Sequence, residues 1–261
     1  MQAMRPLDAA MKDACACAMS VEGHVREIEL RLLYLAAALP TARGEVVEIG
    51  SFRGRSTVAL AKGAVWAGQE KVVACDPFTA LSPTDPVAIG SDYHGSFQAT
   101  LERFGLSDHV EVHREFSADL AKGWTRPIRL LWIDGDHRYE TVKADIEGFL
   151  PHLVPGAVIA VHDVASGHFW GPLACFMDDI VLSDRFGACG MCFRIGWAQY
   201  VGEGGLAEHR RAKRRAYRLL AAVRLAMAFG TKPRGLTRLA YKLFRKGRSF
   251  ERWIRSAAGH R

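Results

Sequence analysis

The stretch that decides the fold is Glu45-Val46-Val47-Glu48-Ile49-Gly50-Ser51-Phe52-Arg53-Gly54-Arg55-Ser56-Thr57. Its β-branched residues predict a short buried strand that ends at Gly50, and a helix is predicted to start near Ser56. Gly50 and Gly54 permit a tight loop where a ligand can approach bare backbone. The N–H groups that open the helix attract a carboxylate or a phosphate. Glu48, at the strand end, suits a cationic amino group.

The position of the acid excludes a dinucleotide fingerprint, in which the acid follows the glycines by ~20 residues. A second buried strand, 71–77, ends in Asp76, 28 residues after Glu48. Sequential strands of a βαβ unit usually neighbour each other, and ligands bind outside their carboxyl ends. A carboxylate at position 76 can therefore accept from both hydroxyls of a ribose. The alternative is an aspartate that only caps the next turn, helped by Pro77.

The remaining pattern predicts an α/β fold. Further strands are predicted at 110–116, 128–134 and 157–161, and the intervening helices are predicted at 55–68, 96–104 and 139–150. Five strands that alternate with helices indicate a doubly wound, mainly parallel sheet. Residues 185–200 supply a further pair of strands, expected to be antiparallel, and residues 1–40 predict a helical segment over one sheet edge. Residues 78–95, rich in turns, have the length of a lid.

Composition divides the chain into an acidic body and a basic tail. Residues 208–261 carry 17 basic and two acidic side chains, a balance of +15, whereas the whole chain carries only +7. We therefore predict three parts: a helical segment 1–40, a ligand-binding domain 41–205 and a basic helical tail 206–261. The sequence contains no apolar run long enough to predict a membrane-spanning helix. Six cysteines without a secretory signal predict reduced thiols in a cytoplasmic protein.

Polar residues cluster after two later strands. Asp134 and Asp163 end consecutive strands, so their backbones are expected ~5 Å apart and both carboxylates could reach one divalent cation. Hard oxygen ligands suit Mg²⁺, which would lower the pKa of a substrate hydroxyl. Asp136 or His137 could then take the proton. The alternative is that both aspartates only cap helices.

Taken together, these motifs resemble one family. Residues 47–57, Asp76, residues 133–140, residues 155–157 and the pair His162-Asp163 are similar to the Methyltransferase-24 group of class I S-adenosylmethionine-dependent methyltransferases. That group is itself similar to the macrocin and novobiocin sugar O-methyltransferases. The resemblance spans roughly residues 25–200. It implies a seven-stranded Rossmann-like fold, S-adenosylmethionine as cofactor, and a hydroxyl of a sugar or other small molecule as acceptor.

The resemblance also implies roles for individual residues. The metal ligands would be Asp134, His162 and Asp163, and the base would be Asp136. His162 departs from the family pattern, which has an acid there, and imidazole suits Zn, Fe or Ni better. Either Mg²⁺ binds weakly, or His162 is the base, or no metal is used; the catalytic candidates are thus Asp136, His137 and His162. The predicted cofactor-binding residues are Glu48, Gly50, Ser51, Phe52, Gly54, Ser56, Thr57, Asp76, Ser117 and Asp134.

The basic tail leaves three alternatives open. Its helical spacing includes Leu236, Leu239, Ala240, Leu243 and Phe244, with basic residues at other positions. Such helices can lie on an anionic membrane, which would make the protein peripheral. They can bind RNA through its phosphates. They can also cover the domain or a second subunit, as in a homo-oligomer. Two functional alternatives follow: an RNA methyltransferase anchored by the tail, and a non-catalytic accessory protein that retains the fold.

Overall fold

The computed structural model describes residues 6–68, 71–79, 90–166, 168–203, 206–228 and 248–259. Within these ranges, seven strands form one sheet. From one edge to the other they are β3 (Val110–His113), β2 (Val72–Cys75), β1 (Glu45–Ile49), β4 (Ile128–Ile133), β5 (Leu153–Val161), β7 (Ile195–Tyr200) and β6 (Phe186–Cys192). The five strands β1 to β5 are parallel, and β7 is antiparallel to both β5 and β6. The predicted fold class is confirmed.

Strand boundaries differ from the predicted ones in one place that has a physical reason. The fifth strand was predicted at 157–161, after Pro155 and Gly156, but β5 already begins at Leu153. Gly156 accommodates this because its φ of +95° brings it against the carbonyl of Thr41, 2.6 Å from where a Cβ would lie. A glycine can adopt that backbone inside a strand, so it marks a close approach rather than an end.

Helices cover both faces of the sheet. Their bounds are α1 (Leu7–Met19), α2 (Glu27–Ala38), α3 (Arg55–Trp66), α4 (His94–Arg103), α5 (Ser117–Gly123), α6 (Tyr139–Phe149), α7 (Trp170–Cys175), α8 (Leu206–Ala228) and α9 (Arg248–Ala257). A π-helix, Phe176–Val181, continues α7. One hydrophobic core joins α1, α2, α3 and α9 to the sheet, and a second joins α6, α7 and α8 to its other face.

The N-terminal helix pair is fixed firmly against the sheet. The guanidinium of Arg129 on β4, only 5% exposed, donates to the carbonyls of Ala36 and Ala37 at the end of α2. A cation at this end also complements the helix dipole. Because Arg129 lies near the start of β4, this contact fixes the C-terminal end of α2, while Glu29 in the first turn of α2 reaches His162 at the carboxyl ends of the strands.

Both described helices of the tail contribute to the cores. Phe250 and Ile254 of α9 are buried, and Trp253 stacks on Trp197 of β7 with ring centroids 4.8 Å apart. On the opposite face, α8 contributes residues to the second core. The amphipathic pattern predicted at 236–244 lies outside the described residues, as do 80–89 of the predicted lid. The division into parts at 40 and 205 stays a prediction. In the described part of the chain, no helix has the length and apolar character needed to cross a bilayer.

Substituting Gly63 with alanine should destabilise the protein. A Cβ at this position of α3 would lie 2.6 Å from the carbonyl oxygen of Tyr34 and 3.0 Å from Cβ of Ala37 on α2. Overpacking of this kind costs ~1–3 kcal/mol, which exceeds the ~1 kcal/mol by which alanine favours a helix over glycine. Urea denaturation of Gly63→Ala measures the loss.

The matched control is Gly95→Ala in α4, where no described atom lies within 4 Å of the added Cβ. Here the helix propensity acts alone, and the free energy of unfolding should stay unchanged or rise by up to ~1 kcal/mol. Equal effects of the two substitutions would contradict the close crossing of α2 and α3.

Candidate active site

Glu48, near the end of β1, anchors the loop that follows this strand. This side chain is fully buried, and its Oε2 accepts from the Thr57 hydroxyl at 2.5 Å and from the Ser51 hydroxyl at 3.0 Å. Burial raises the pKa of Glu48 to about 7, although the neighbouring hydroxyls act in the opposite direction. Its Oε1 has no hydrogen-bond partner of good geometry among the described residues. The carboxyl therefore ties the loop to the start of α3.

Asp76 holds the same loop from the neighbouring strand. One oxygen accepts from the backbone N–H groups of Ser51 and Phe52 at 2.8 and 2.9 Å. The other accepts from the Phe78 N–H at 2.6 Å and the Tyr93 hydroxyl at 3.1 Å. Burial raises the pKa of Asp76, and these donors partly offset the shift. The carboxylate thus fixes the loop that follows the adjacent strand.

Three residues of this loop have positive φ angles, and two of the three are glycines. Gly50 has a φ of +84°, and a Cβ there would lie 2.4 Å from the carbonyl oxygen of Asp134. Gly54, with a φ of +93°, precedes α3, and no side chain caps the first turn of that helix. Phe52 has a φ of +48°, a region that non-glycine residues rarely occupy. Strained residues of this kind cluster at ligand sites.

A buried histidine organises the other end of the site. His162 is 2% exposed, with Nδ1 2.8 Å from Asp134 Oδ1 and Nε2 3.3 Å from Glu29 Oε1. Burial alone would lower the pKa of His162, but these two carboxylates raise it well above its ordinary value. The two carboxylates thus favour the imidazolium form of His162. Glu29, fully buried on α2, was assigned to no site from the sequence.

Asp163 joins a second histidine to an arginine. Its Oδ2 lies 3.2 Å from Nε2 of His137, and its Oδ1 accepts from Arg194 at 2.8 Å. Burial alone would raise the pKa of Asp163, but the His137 hydrogen bond and the nearby cations lower it to about 2. The His137 ring also stacks on Phe169, with centroids 4.1 Å apart and planes within 16°. The imidazole is thus held both at its edge and on its face.

Asp136 forms hydrogen bonds with Arg138 and not with either histidine. Its oxygens accept from the backbone N–H of Arg138 at 2.9 Å and from the Arg138 guanidinium at 2.5 Å. Burial alone would raise the pKa of Asp136, but the contacts with Arg138 lower it. The carboxylate is therefore an ion-paired, weakly basic group.

Many of these groups line one cavity of about 390 Å³ at the carboxyl ends of the parallel strands. Seven of the ten predicted cofactor-binding residues line it: Gly50, Ser51, Phe52, Ser56, Asp76, Ser117 and Asp134. The predicted catalytic and metal-binding residues also line it: Asp136, His137, His162 and Asp163. Glu48, Gly54 and Thr57 do not reach the lining among the described residues. For Glu48, the reason is that its carboxyl points into the loop's own hydrogen bonds, so no direct contact with a ligand's amino group is seen.

Several lining residues were not predicted. Asp145 of α6 accepts from the hydroxyl of the predicted Ser117 at 2.5 Å, and burial raises the pKa of the Asp145 carboxyl to about 7. Phe116, half exposed, lies beside Ser117 in the lining, and Arg194 enters it from the turn between β6 and β7. No local sequence signal marks them, because each reaches the cavity through packing of distant elements.

One cluster could bind a cation, but its donors do not fit Mg²⁺. Asp134, His137 and His162 each offer a ligand atom, all within 4.8 Å of one another. The set has a single carboxylate and two imidazoles, which suit Zn, Fe or Ni rather than Mg²⁺. His162 Nδ1 already lies 2.8 Å from Asp134 Oδ1. Asp163 is not part of this cluster, and its oxygens contact Arg194 and His137, so the predicted set Asp134, His162 and Asp163 stays a prediction.

Comparison with known proteins identifies the domain. The doubly wound sheet and the glycine-broken loop at its edge form a Rossmann-like fold of the kind that methyltransferases have. A family model described as a methyltransferase domain, that of the Methyltransferase-24 group, matches residues 47–164. A curated relative, protein y4gI of Sinorhizobium fredii, is 28% identical over 128 residues. That alignment covers 43% of this chain but only 14% of the relative, so the chain spans a small part of its length.

Solved structures show the same fold. The O-methyltransferase NovP has a TM-score of 0.57 and 14% identity, with 75% of this chain and 98% of NovP covered. Cofactor-bound Rv0187 from MTB has a TM-score of 0.53 and 24% identity, with 76% and 91% covered. The O-methyltransferase TomG from Streptomyces achromogenes, in complex with SAM, has a TM-score of 0.53 and 19% identity, with 77% and 93% covered.

The buried carboxyl of Glu48 should make stability depend on pH. Its folded pKa of about 7 exceeds the ordinary value of 4.5, so the folded state favours the protonated form. This contribution is fully present below pH 4.5 and is lost as the pH rises through about 7. Since one pKa unit corresponds to ~1.4 kcal/mol, wild type should lose roughly 3 kcal/mol relative to Glu48→Gln over this range. Urea denaturation at a series of pH values measures the difference.

The control is Glu45→Gln, at the partly exposed start of the same strand. It should retain the pH dependence of wild type, including the part that Asp145 contributes. An unchanged slope in Glu48→Gln would show that the buried carboxyl does not titrate as described.

Proposed function

We propose that the protein is an S-adenosylmethionine-dependent O-methyltransferase that methylates a hydroxyl of a sugar or another small molecule. One observation carries the proposal: a single cavity joins the glycine loop of a methyltransferase domain to the oriented pair of His137 and Asp163. A cofactor site and a proton acceptor therefore open into the same space. The neighbours NovP and TomG, both described as O-methyltransferases, support the choice of oxygen as acceptor atom.

The residues on the β1 and β2 side fit the cofactor. The uncapped first turn of α3, with Arg55 and Ser56 in the lining, offers N–H groups and a cation to the amino-acid carboxylate. Glu48 and Asp76 keep the Gly50 loop in the shape that allows this approach. Asp76, Phe116 and Ser117 line the part of the cavity beside β2 and β3, where we place the ribose and the adenine. When bound, the cofactor supplies an electrophilic methyl group.

His137 is the proposed general base. Neutral imidazole can accept the proton of the acceptor hydroxyl as that oxygen attacks the methyl carbon. Asp163 then stabilises the imidazolium, because its pKa of about 2 keeps it ionised at every pH at which the enzyme would work. Arg194 holds the far oxygen of Asp163, and Phe169 holds the ring plane. The proton thus moves to a group whose orientation is fixed before the substrate arrives.

The other two catalytic candidates fit this role less well. His162 is already protonated between Asp134 and Glu29, so it cannot accept a second proton. The Asp136 carboxylate is neutralised by Arg138, and its lowered pKa makes it a weak base. We infer that His162 supplies fixed positive charge near the acceptor, while Asp136 shapes the loop that carries His137.

Replacing His137 with glutamine should lower kcat without weakening cofactor binding. General bases contribute typically ~10²–10⁴-fold, and a loss within this range is expected. Calorimetry with S-adenosylmethionine measures binding, and conversion of a hydroxyl-bearing acceptor, found by screening sugars and small alcohols, measures turnover. His168→Gln is the control, because His168 is an exposed histidine of the same loop region.

Two results would contradict the proposal in different ways. If wild type releases no heat with S-adenosylmethionine, the cofactor assignment fails. If His137→Gln and His168→Gln both retain full kcat, the cofactor assignment stands and the base lies elsewhere.

We also expect turnover without added Mg²⁺. The donors at the site fit that ion poorly, and His162 and Arg194 already supply positive charge beside the acceptor end. Wild-type kcat should be unchanged after dialysis against a chelator, and adding Mg²⁺ back should not raise it. Loss of turnover in the chelator with recovery on adding Mg²⁺ would restore the predicted ligand set Asp134, His162 and Asp163.

A further inference from the structure

A second cavity lies on α8, away from the site described above. Its volume is about 360 Å³, and it lies between α8 and the end of the π-helix. The residues that α8 contributes are spaced three or four apart, so they form one continuous face of the helix. Its lining residues are Val181, Leu182, Arg210, Lys213, Arg214, Tyr217 and Arg218.

The charge of this cavity is unbalanced. Four of its seven lining residues are cationic and none is acidic. Neither a hydrogen bond nor an ion pair links Arg210, Arg214 or Arg218 to any carboxylate whose side chain the structure describes, whereas Arg224, further along α8, pairs with Asp178. A solvated helix face usually alternates its charges. Convergent unpaired cations instead favour an anionic ligand.

Lys213 adds a buried cation to the groove. It is only 5% exposed, and its ammonium donates to the backbone carbonyl of Ser183. An ammonium group has three donors, so this single acceptor leaves it under-satisfied. The exposed Asp184 is the carboxylate whose field reaches Lys213, but it does not line the cavity. Burying a cation among other cations is unfavourable unless an anion binds there.

Exposed apolar residues flank the same groove. Leu182, in the lining, is 55% exposed, and Leu225, one to two turns beyond Arg218 on α8, is 60% exposed. Trp170, 43% exposed, lies under the Arg224 guanidinium at 4.7 Å and directly follows Phe169 of the methyltransferase site. Cations beside exposed leucine and tryptophan are typical of surfaces that contact a lipid bilayer.

We propose that the α8 groove binds the phosphate group of an anionic phospholipid, so that α8 docks on a membrane surface. Phosphate oxygens match the guanidinium and ammonium donors, and the adjacent leucines would enter the apolar part of the bilayer. A soluble phosphate ester or RNA would satisfy the cations but would leave Leu182 and Leu225 in water. Trp170, which contacts Arg224 of α8, would lie near the same surface, and it directly follows Phe169 of the methyltransferase cavity. The proposal does not depend on the methyl acceptor.

The test compares two paired substitutions in the full-length chain. Arg214→Gln with Arg218→Gln removes two cations from the lining, whereas Arg211→Gln with Arg215→Gln removes two exposed cations from the same helix outside it. Each pair has the same spacing and the same loss of charge. Cosedimentation uses vesicles of phosphatidylcholine alone or mixed with phosphatidylglycerol. Unchanged S-adenosylmethionine binding confirms that each variant is folded.

Wild type should bind only the vesicles that contain phosphatidylglycerol. The Arg214 and Arg218 pair should weaken this binding by about 30-fold, since each cation near an anionic surface contributes ~1 kcal/mol. The Arg211 and Arg215 pair should weaken it markedly less. Equal weakening would show general charge attraction and overturn the groove. If the protein binds inorganic phosphate but no vesicles, the lipid assignment is overturned. RNA that copurifies with the protein and that nuclease releases would overturn it as well.

Discussion

The carboxylate of Asp76 accepts two backbone N–H groups from the loop that follows β1, and the geometry of the site depends on this contact. Buried backbone donors must be paired, and here a side chain from the adjacent strand pairs them. The bond joins the ends of β1 and β2, while Glu48 ties the same loop to α3. The loop has positive φ angles at Gly50, Phe52 and Gly54, and the hydrogen bonds to these two acids stabilise that conformation.

A second network balances charge at the opposite end of the cavity. Three carboxylates, Glu29, Asp134 and Asp163, surround His162, and Arg194 contacts two of them. Isolated buried charges are costly, so each acid here has a cationic partner. Asp163 contacts both His137 and Arg194 within this network. The same balance accommodates a histidine at position 162, where the resemblance implied an acid.

The basic tail combines structural and surface roles. Helix α9 buries Phe250 and Ile254 against one face of the sheet, and α8 packs on the other. These contacts agree with the simplest expectation for the tail, that its apolar residues cover the domain. The cations of α8 are not explained by that role, because burial of one face does not require unpaired charge on the next. The buried face of α8 thus differs from the face for which we propose anion binding.

The sequence by itself determined the class of fold, a mainly parallel sheet with helices between its strands, and it placed the candidate site at the strand ends. Alternation of apolar runs with helices leaves few topologies, and Gly50, Asp76 and Asp134 fall at strand ends whatever the packing. The sequence also brought His137, His162 and Asp163 to one edge. Only the tertiary structure decided which atoms face which. Glu29 and Arg194 reach His162 and Asp163 from elements far away in the chain, and Arg138 neutralises Asp136. Whether a residue acts as base, as fixed charge or as structural support depends on these side-chain partners. Three-dimensional packing sets the partners, so no local pattern in the sequence reveals them.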